Sequence, residues 1–394
     1  MRENTKNPFA RMPKVAVVKL CWTYQKSRMS RENSGITSMI AQLINMAIVA
    51  MMAFSLCACE KHSGQGIDEL ESDVIELALI TEELALGPLQ KILDGYFVKS
   101  VTFDSKGNAW IGTFQQGIIR YNAEETVYYH SGNSIIPEGY VTYDMAVDKK
   151  DNVWIGVSQG LLKYDGHDFT LYNTQNTPMP VNFVDAVEVD SQNNIWFASC
   201  NSSQGGLVKY DGTEWTVYTP ANSPLPPYTL INSMAIDRSD NVWISNGTQL
   251  VKISTNGWEI YSDHELRFKP FIISDIKINS QNCVVGAIDF TYSSAGPLSG
   301  SPRIFIFDSE NKTTLLGWSL FYSGIQNITI DHNDYVWCFD RRGTCGIWIG
   351  GEQGRKIDGK NIYDHGEYTP YLTTIKEAPD YRIWFGAEDG FYIR

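Results

Sequence analysis

Residues 151–156 read DNVWIG, and residues 240–245 read DNVWIS. The tetrapeptide DNVW is neither a metal loop nor a phosphate loop, so its return asks whether the chain is built from repeats. Aligned on tryptophan, related segments begin at Phe103 (FDSKGNAWIGT), Val147 (VDKKDNVWIGV), Val189 (VDSQNNIWFAS), Ile236 (IDRSDNVWISN) and Ile330 (IDHNDYVWCFD), with a divergent copy, APDYRIWFGAE, at Ala378. Trp110, Trp154, Trp196, Trp243, Trp337 and Trp384 are separated by 44, 42, 47, 94 and 47 residues. The long step is twice 47, and within it IKINSQNCVVGAI, from Ile276, carries Val284 where the others have tryptophan. The chain therefore holds seven repeats.

Each repeat follows one grammar. An alternating apolar run ends in Asp, a polar turn follows, and a short strand begins at the tryptophan. Then come segments such as GLLKYDG (160–166) and DFTLYNT (168–174). β-branched and aromatic runs punctuated by Gly, Asn, Asp and Pro are strands joined by tight turns. Four strands per repeat at this period predict an all-β fold, a seven-bladed β-propeller of four-stranded blades. No repeat has the sustained helical periodicity of a solenoid. The Asp ending each first strand (Asp104, Asp148, Asp190, Asp237, Asp331) is expected to cap its own turn, with Gly107 or Asn152 tolerating a left-handed backbone. The tryptophan is expected to pack between blades. The last repeat lacks a fourth strand, and an open sheet edge is a liability, so an N-terminal strand at 74–81, VIELALIT, is expected to complete it.

The combined pattern, best seen at 190–218, resembles the two-component regulator propeller repeat, which builds the periplasmic sensor domains of hybrid histidine kinases in Bacteroidetes-type bacteria. The resemblance covers about 74–394 and implies a propeller that senses or binds, often a glycan fragment. Those sensors continue into a membrane span, an immunoglobulin-like domain and a kinase, whereas this sequence ends within the propeller.

The first 58 residues differ in character. Basic residues outnumber acidic ones 8 to 2, and 39–58 carry no charge. A basic region, an apolar region and small residues before a cleavage point describe a secretory signal, here with a long basic extension within which Met29 and Met39 are candidate alternative starts. Leu56-Cys57-Ala58-Cys59 is similar to the bacterial lipobox, which makes Cys59 the lipidation site and 59–73 a flexible tether. Cys59 onward carries 24 basic and 43 acidic residues, a net of −19. That charge disfavours nucleic acid as a partner. The expectation is an exported envelope lipoprotein, monomeric, touching membrane through its lipid anchor only, with a glycan or an envelope protein as partner. Cys338 and Cys345 flank a short turn and are either a disulfide or two buried free thiols.

No nucleophile elbow, zinc motif or phosphate loop is present, so no catalytic residue, metal or cofactor is assigned. His332 replaces turn residues such as Lys149 and Arg238 and is read as a solvated turn residue. Ligand contacts are expected on loops at the face where the first strand enters. The candidates are Phe114, Gln115, Gln159, Asn201, Asn246, Tyr292, Arg341, Arg342 and Glu388, with Arg341 and Arg342 suited to clamping a carboxylate. The functional expectation is a ligand-binding or sensor-type propeller. The alternatives are a propeller enzyme, glycosidase or similar to the virginiamycin B lyases, and a structural envelope scaffold.

Overall fold

The computed structural model describes residues 90–393, apart from 202–203, 227–229, 267–271, 290–301, 309, 318–323, 341–344, 350–354 and 357–370. Residues Leu89–Arg394 form one compact unit. After strand β1 (Gln90–Asp94) come β2 to β5 (Val98–Phe103, Ala109–Thr113, Ile118–Tyr121, Thr126–Tyr129) and β6 to β9 (Thr142–Val147, Val153–Val157, Gly160–Tyr164, Phe169–Tyr172). Next are β10 to β13 (Val184–Val189, Ile195–Cys200, Gly205–Tyr210, Trp215–Tyr218) and β14 to β17 (Ile231–Ile236, Val242–Asn246, Gln249–Ser254, Gly257–Tyr261). A short helix α1 (Asp263–Leu266) leads to β18 to β21 (Ile272–Ile278, Val284–Asp289, Pro302–Phe307, Thr313–Gly317). The chain ends with β22 to β25 (Ile325–Ile330, Val336–Asp340, Cys345–Ile349, Arg355–Lys356) and β26 to β28 (Leu372–Glu377, Ile383–Ala387, Gly390–Ile393).

These strands form seven four-stranded antiparallel sheets among the described residues, each consecutive except the last, whose order is β1-β28-β27-β26. The first strands adjoin in sequence, β2 to β6, β10, β14, β18, β22 and β26, and β26 returns against β2. This is an all-β propeller with four-stranded blades. The strand that completes the last sheet is Gln90–Asp94, paired with β28 in the register Gln90↔Ile393 to Asp94↔Gly390. The expected segment, 74–81, lies outside the described residues; the closer segment docks because only three residues separate it from β2. Its Lys91 reaches Asp389 at 3.0 Å.

The turn after each first strand is a cage around the terminal carboxylate. In the second repeat, Asp148 Oδ1 accepts the amides of Lys150 and Asn152 at 2.8 and 3.0 Å, and Oδ2 accepts Asn152 Nδ2 and Trp154 Nε1 at 2.7 and 3.0 Å. Asp104, Asp190 and Asp237 repeat the pattern. The repeat lacking tryptophan substitutes Asn279 for the Asp and therefore loses its indole partner as well. Register corrects the sequence alignment here. Lys277 stands opposite Val285 as Ala146 stands opposite Trp154, so Val285, not Val284, occupies the tryptophan position.

The left-handed residue of these turns is the one before Asn152. Gly107, Asp151, Asn193, Asp240, Asn282, Asp334 and Tyr381 have φ between 58° and 79°. Asn152 is not among them, which corrects the expectation for that position. Asn and Asp tolerate this backbone because their short polar side chains bond locally. Here the same side chains reach the preceding sheet. Asp151 accepts from Ser105, Asn193 from the Lys149 amide at 2.7 Å, Asp240 from Ser191, Asn282 from the Arg238 amide at 2.8 Å, and Asp334 from Ser280. The first residue of DNVW is thus a bolt between blades.

Packing explains the rest of the repeat. Four of the tryptophans stack on the fourth-strand tyrosine of their own sheet, Trp110–Tyr129, Trp154–Tyr172, Trp196–Tyr218 and Trp243–Tyr261, with centroids 5.8–6.0 Å apart. The KYDG segment then divides its labour. Lys163, Lys209 and Lys252 lie 5.4–5.5 Å over the tryptophan ring of their own sheet. Tyr164 and Tyr210 pack against the tryptophan of the sheet before. Asp165 Oδ1 and Asp211 Oδ1 accept two turn amides each. The tryptophans are 2–7% exposed, so each aromatic pair adds about 0.5–1.5 kcal/mol beyond simple area burial.

Candidate functional site

The first strands enclose the propeller's central channel, and their sequences separate scaffold from lining. Stacked by repeat, the fourth position is apolar throughout, the first in all but β6, where it is Thr142, and the sixth in all but the last. The second, third and fifth vary and carry most of the polar groups.

Third-position side chains join neighbouring sheets. Every pair of first and second strands carries a register shift at this level. A third-position oxygen then accepts the fourth-position amide of the following sheet. The pairs are Asp144 with Val187 (2.9 Å), Ser233 with Ile276 (3.2 Å), Asp275 with Ile328 (2.9 Å) and Asn327 with Ile375 (3.2 Å). Asp275 also accepts Ser233 Oγ, Lys277 Nζ and Asn327 Nδ2, each at 2.7 Å. It is a buried carboxylate whose oxygens are filled.

The fifth position places Glu188, Lys277 and Lys376 half-buried in the channel, where they act on one another and on Asp144 across its width. Burial, with the Asp144 charge second, pushes Glu188 up to about 7, against the pull of Lys376 and Lys277. Burial likewise raises Asp144, although the Val187 amide and the two lysines oppose it. Burial alone would lower Lys277, but Asp275, Asp144 and Glu188 together hold it above its ordinary value.

The second position forms the mouth, toward the face where the first strands begin. Lys99 and Asp185 stand at equivalent places in β2 and β10. Asp185 is pushed up to about 7 by burial and by Asp144, with Lys99 opposing. Lys99 is lowered by burial, against the attraction of Glu388 and Asp185. Neither side chain has a hydrogen-bond or ion-pair partner among the described residues. Aromatic rings flank both. Phe97 stacks on Phe114 at 5.2 Å and lies 5.6 Å from Lys99 Nζ, while Tyr143 meets Phe183 at 4.7 Å. Opposite charges without partners between ring faces present groups for a polar ligand.

Of the residues expected from sequence, Phe114 and Glu388 belong to this mouth; both are exposed. Gln115 has φ 63° and donates its amide to the Tyr140 carbonyl, so its backbone shapes a loop. Gln159 Oε1 accepts Ser158 Oγ at 2.9 Å. Asn201 Oδ1 caps the Gln204 amide, and Asn246 ends β15 opposite Ile231 and Gln249. Tyr292, Arg341 and Arg342 lie outside the described residues, as does Cys59. Cys338 stands opposite Gly346, and Cys345 opposite Phe339; the side chain of Cys345 lies outside the described residues, and with it the candidate disulfide. His332 is more than a solvated turn residue: its Nδ1 is 2.6 Å from Glu377 Oε1 and its ring 4.2 Å from that of Tyr381. Among the described residues no group of three His, Cys, Asp or Glu converges as a metal site.

Comparison with known proteins places the fold. No family model matches the chain, and no curated protein matches it. The extracellular domain of the putative hybrid two-component system BT3049 from B. thetaiotaomicron is similar at TM-score 0.60 and 17% identity, over 78% of this chain and 41% of that one. A catalytically inactive His-to-Ala variant of virginiamycin B lyase from Staphylococcus aureus, with quinupristin, is similar at TM-score 0.61 and 13% identity, over 77% and 98%. PorZ, a surface component of the type-IX secretion system of Porphyromonas gingivalis, gives TM-score 0.57 at 11% identity, over 76% and 46%. The chain spans 39% and 41% of two such extracellular domains.

Proposed function

We propose that this chain is an exported, lipid-anchored, seven-bladed propeller of the sensor type, tethered through Cys59, that captures a ligand at the mouth of its channel. A carbohydrate fragment fits best. The observation that carries this reading is the pair Lys99 and Asp185, opposite charges left without partners between two sets of aromatic rings. Ring faces suit the apolar faces of sugars, and the unpaired charges suit hydroxyl or carboxyl groups. The fold it shares with extracellular sensor domains is in keeping with such a role, and its likeness to PorZ makes an envelope protein the next ligand to test. Thermal-shift measurements on the full chain against neutral and acidic oligosaccharides test the proposal. A ligand at ~100 times its Kd stabilises by about 2.7 kcal/mol, and a silent library would reject a glycan.

A second reading has one observation in its favour. Asp144, Asp185 and Glu188 place three carboxylates with raised pKa values in one channel, the setting in which a carboxyl group serves as a general acid near neutral pH. Mass analysis of sugar recovered from the same wells separates the two, since a shortened product makes the protein an enzyme.

A further inference from the structure

At the end of the channel opposite the mouth, turns of the fourth to seventh sheets line an open cleft of about 460 Å³. Cavities of roughly 300–1,000 Å³ hold small ligands. Three isoleucines supply its apolar lining. Ile236, Ile278 and Ile330 occupy the sixth position of β14, β18 and β22, and each is only half-buried. The seventh sheet breaks this series with Glu377. Glu377 Oε1 accepts the His332 amide at 3.2 Å and sits 2.6 Å from His332 Nδ1. Its Oε2 has no partner among the described residues.

The rim supplies the opposite charge. Arg238 is exposed, and although its amide donates to Asn282, its guanidinium has no hydrogen bond or ion pair among the described residues. The other acids of the cleft are engaged. Asp331 caps its own turn and Trp337 Nε1, and Asp334 accepts from Ser280. Among the described lining residues, what remains available is the Arg238 guanidinium, one carboxylate oxygen of Glu377 and the partly exposed faces of the three isoleucines.

We propose that this cleft is a second binding site, distinct from the mouth, for a short apolar peptide in its zwitterionic form. The peptide carboxylate pairs with the Arg238 guanidinium, whose planar fork matches a carboxylate. The ammonium faces Glu377, and the apolar side chains cover the three isoleucines. The two end charges set the orientation.

Titration calorimetry of L-leucyl-L-leucine into the full chain tests the site. The expected result is saturable binding at one site, weakened at least tenfold by Arg238→Gln at unchanged melting temperature and unaffected by Lys99→Met. N-acetyl-leucyl-leucinamide, which lacks both charges, should bind at least tenfold more weakly. No heat from the dipeptide, equal binding of the blocked peptide, or insensitivity to Arg238→Gln would each overturn the proposal. Loss of binding in Lys99→Met alone would also do so, because it would place the peptide at the mouth.

Discussion

Asp151, in the turn of the second sheet, accepts both the amide of Ser105 at 3.0 Å and its hydroxyl at 2.5 Å from the first. One residue thus holds a left-handed turn and fastens two blades. These roles separate by substitution. Asp151→Gly keeps the backbone and loses the bolt, whereas Asp151→Ala loses both. Alanine should destabilise by about 1 kcal/mol more than glycine, the cost of a left-handed β-carbon, as read from urea unfolding. The Ser105 bonds hold the Asp151 carboxyl below its ordinary value, so this bolt contributes above the unfolded pKa and is lost as pH falls through the folded one.

The seam between the last sheet and the first lacks the bolt on both sides. Pro379 stands where other repeats donate an amide, and Gly107 stands where they carry the accepting side chain. Strand β1 supplies closure there instead. A chain beginning at Leu89 should therefore keep the folded melting transition, and one beginning at Gly95 should lose or broaden it, because β28 then presents an open edge. Differential scanning calorimetry of the two chains is the check.

Trp384 is buried, and its Nε1 has no hydrogen-bond partner. The reason is visible one turn back, where Ala378 replaces the caging Asp. Ala378→Asp should restore the acceptor for Trp384 and for the turn amides. It should raise stability by about 1 kcal/mol, measured by denaturant midpoint at unchanged slope.

The channel carboxylates make stability depend on pH. Asp185 and Glu188, both near 7, lie above the ordinary carboxylate value of about 4, so the folded chain binds more protons than the unfolded one between those limits. Their contribution is full below about pH 4 and declines as pH rises through 7. Asp144, Asp275, Lys277 and Lys376 face Glu188, and Asp144 and Lys99 face Asp185. Glu188→Gln should leave stability at pH 4 nearly unchanged and gain on the parent at pH 8. Unfolding free energies at the two pH values measure it.

The repeat made the architecture legible, since Trp–Tyr stacking and Asp cages recur at fixed offsets. What escaped was set by neighbours rather than by local pattern. Sequence spacing favoured Asn152 for the left-handed turn, but Asp151 takes it because the same side chain reaches Ser105 in another blade. The β-branched run at 74–81 looked more strand-like than QKILD, yet proximity to β2 selects Gln90–Asp94. Of the loop residues expected to meet a ligand, Phe114 and Glu388 stand at the mouth. Lys99 and Asp185 were missed because they sit inside strands that otherwise read as core. Their signal is charge at a variable position of a strand whose fourth position stays apolar, and it emerges when the seven first strands are stacked.

The most direct test of the mouth as a binding site is calorimetric titration of the oligosaccharide giving the largest thermal shift into the parent chain and into Lys99→Met/Asp185→Asn. The account predicts saturable binding to the parent and a loss of at least tenfold in the double variant at a comparable melting temperature. Equal affinity in both proteins would contradict it.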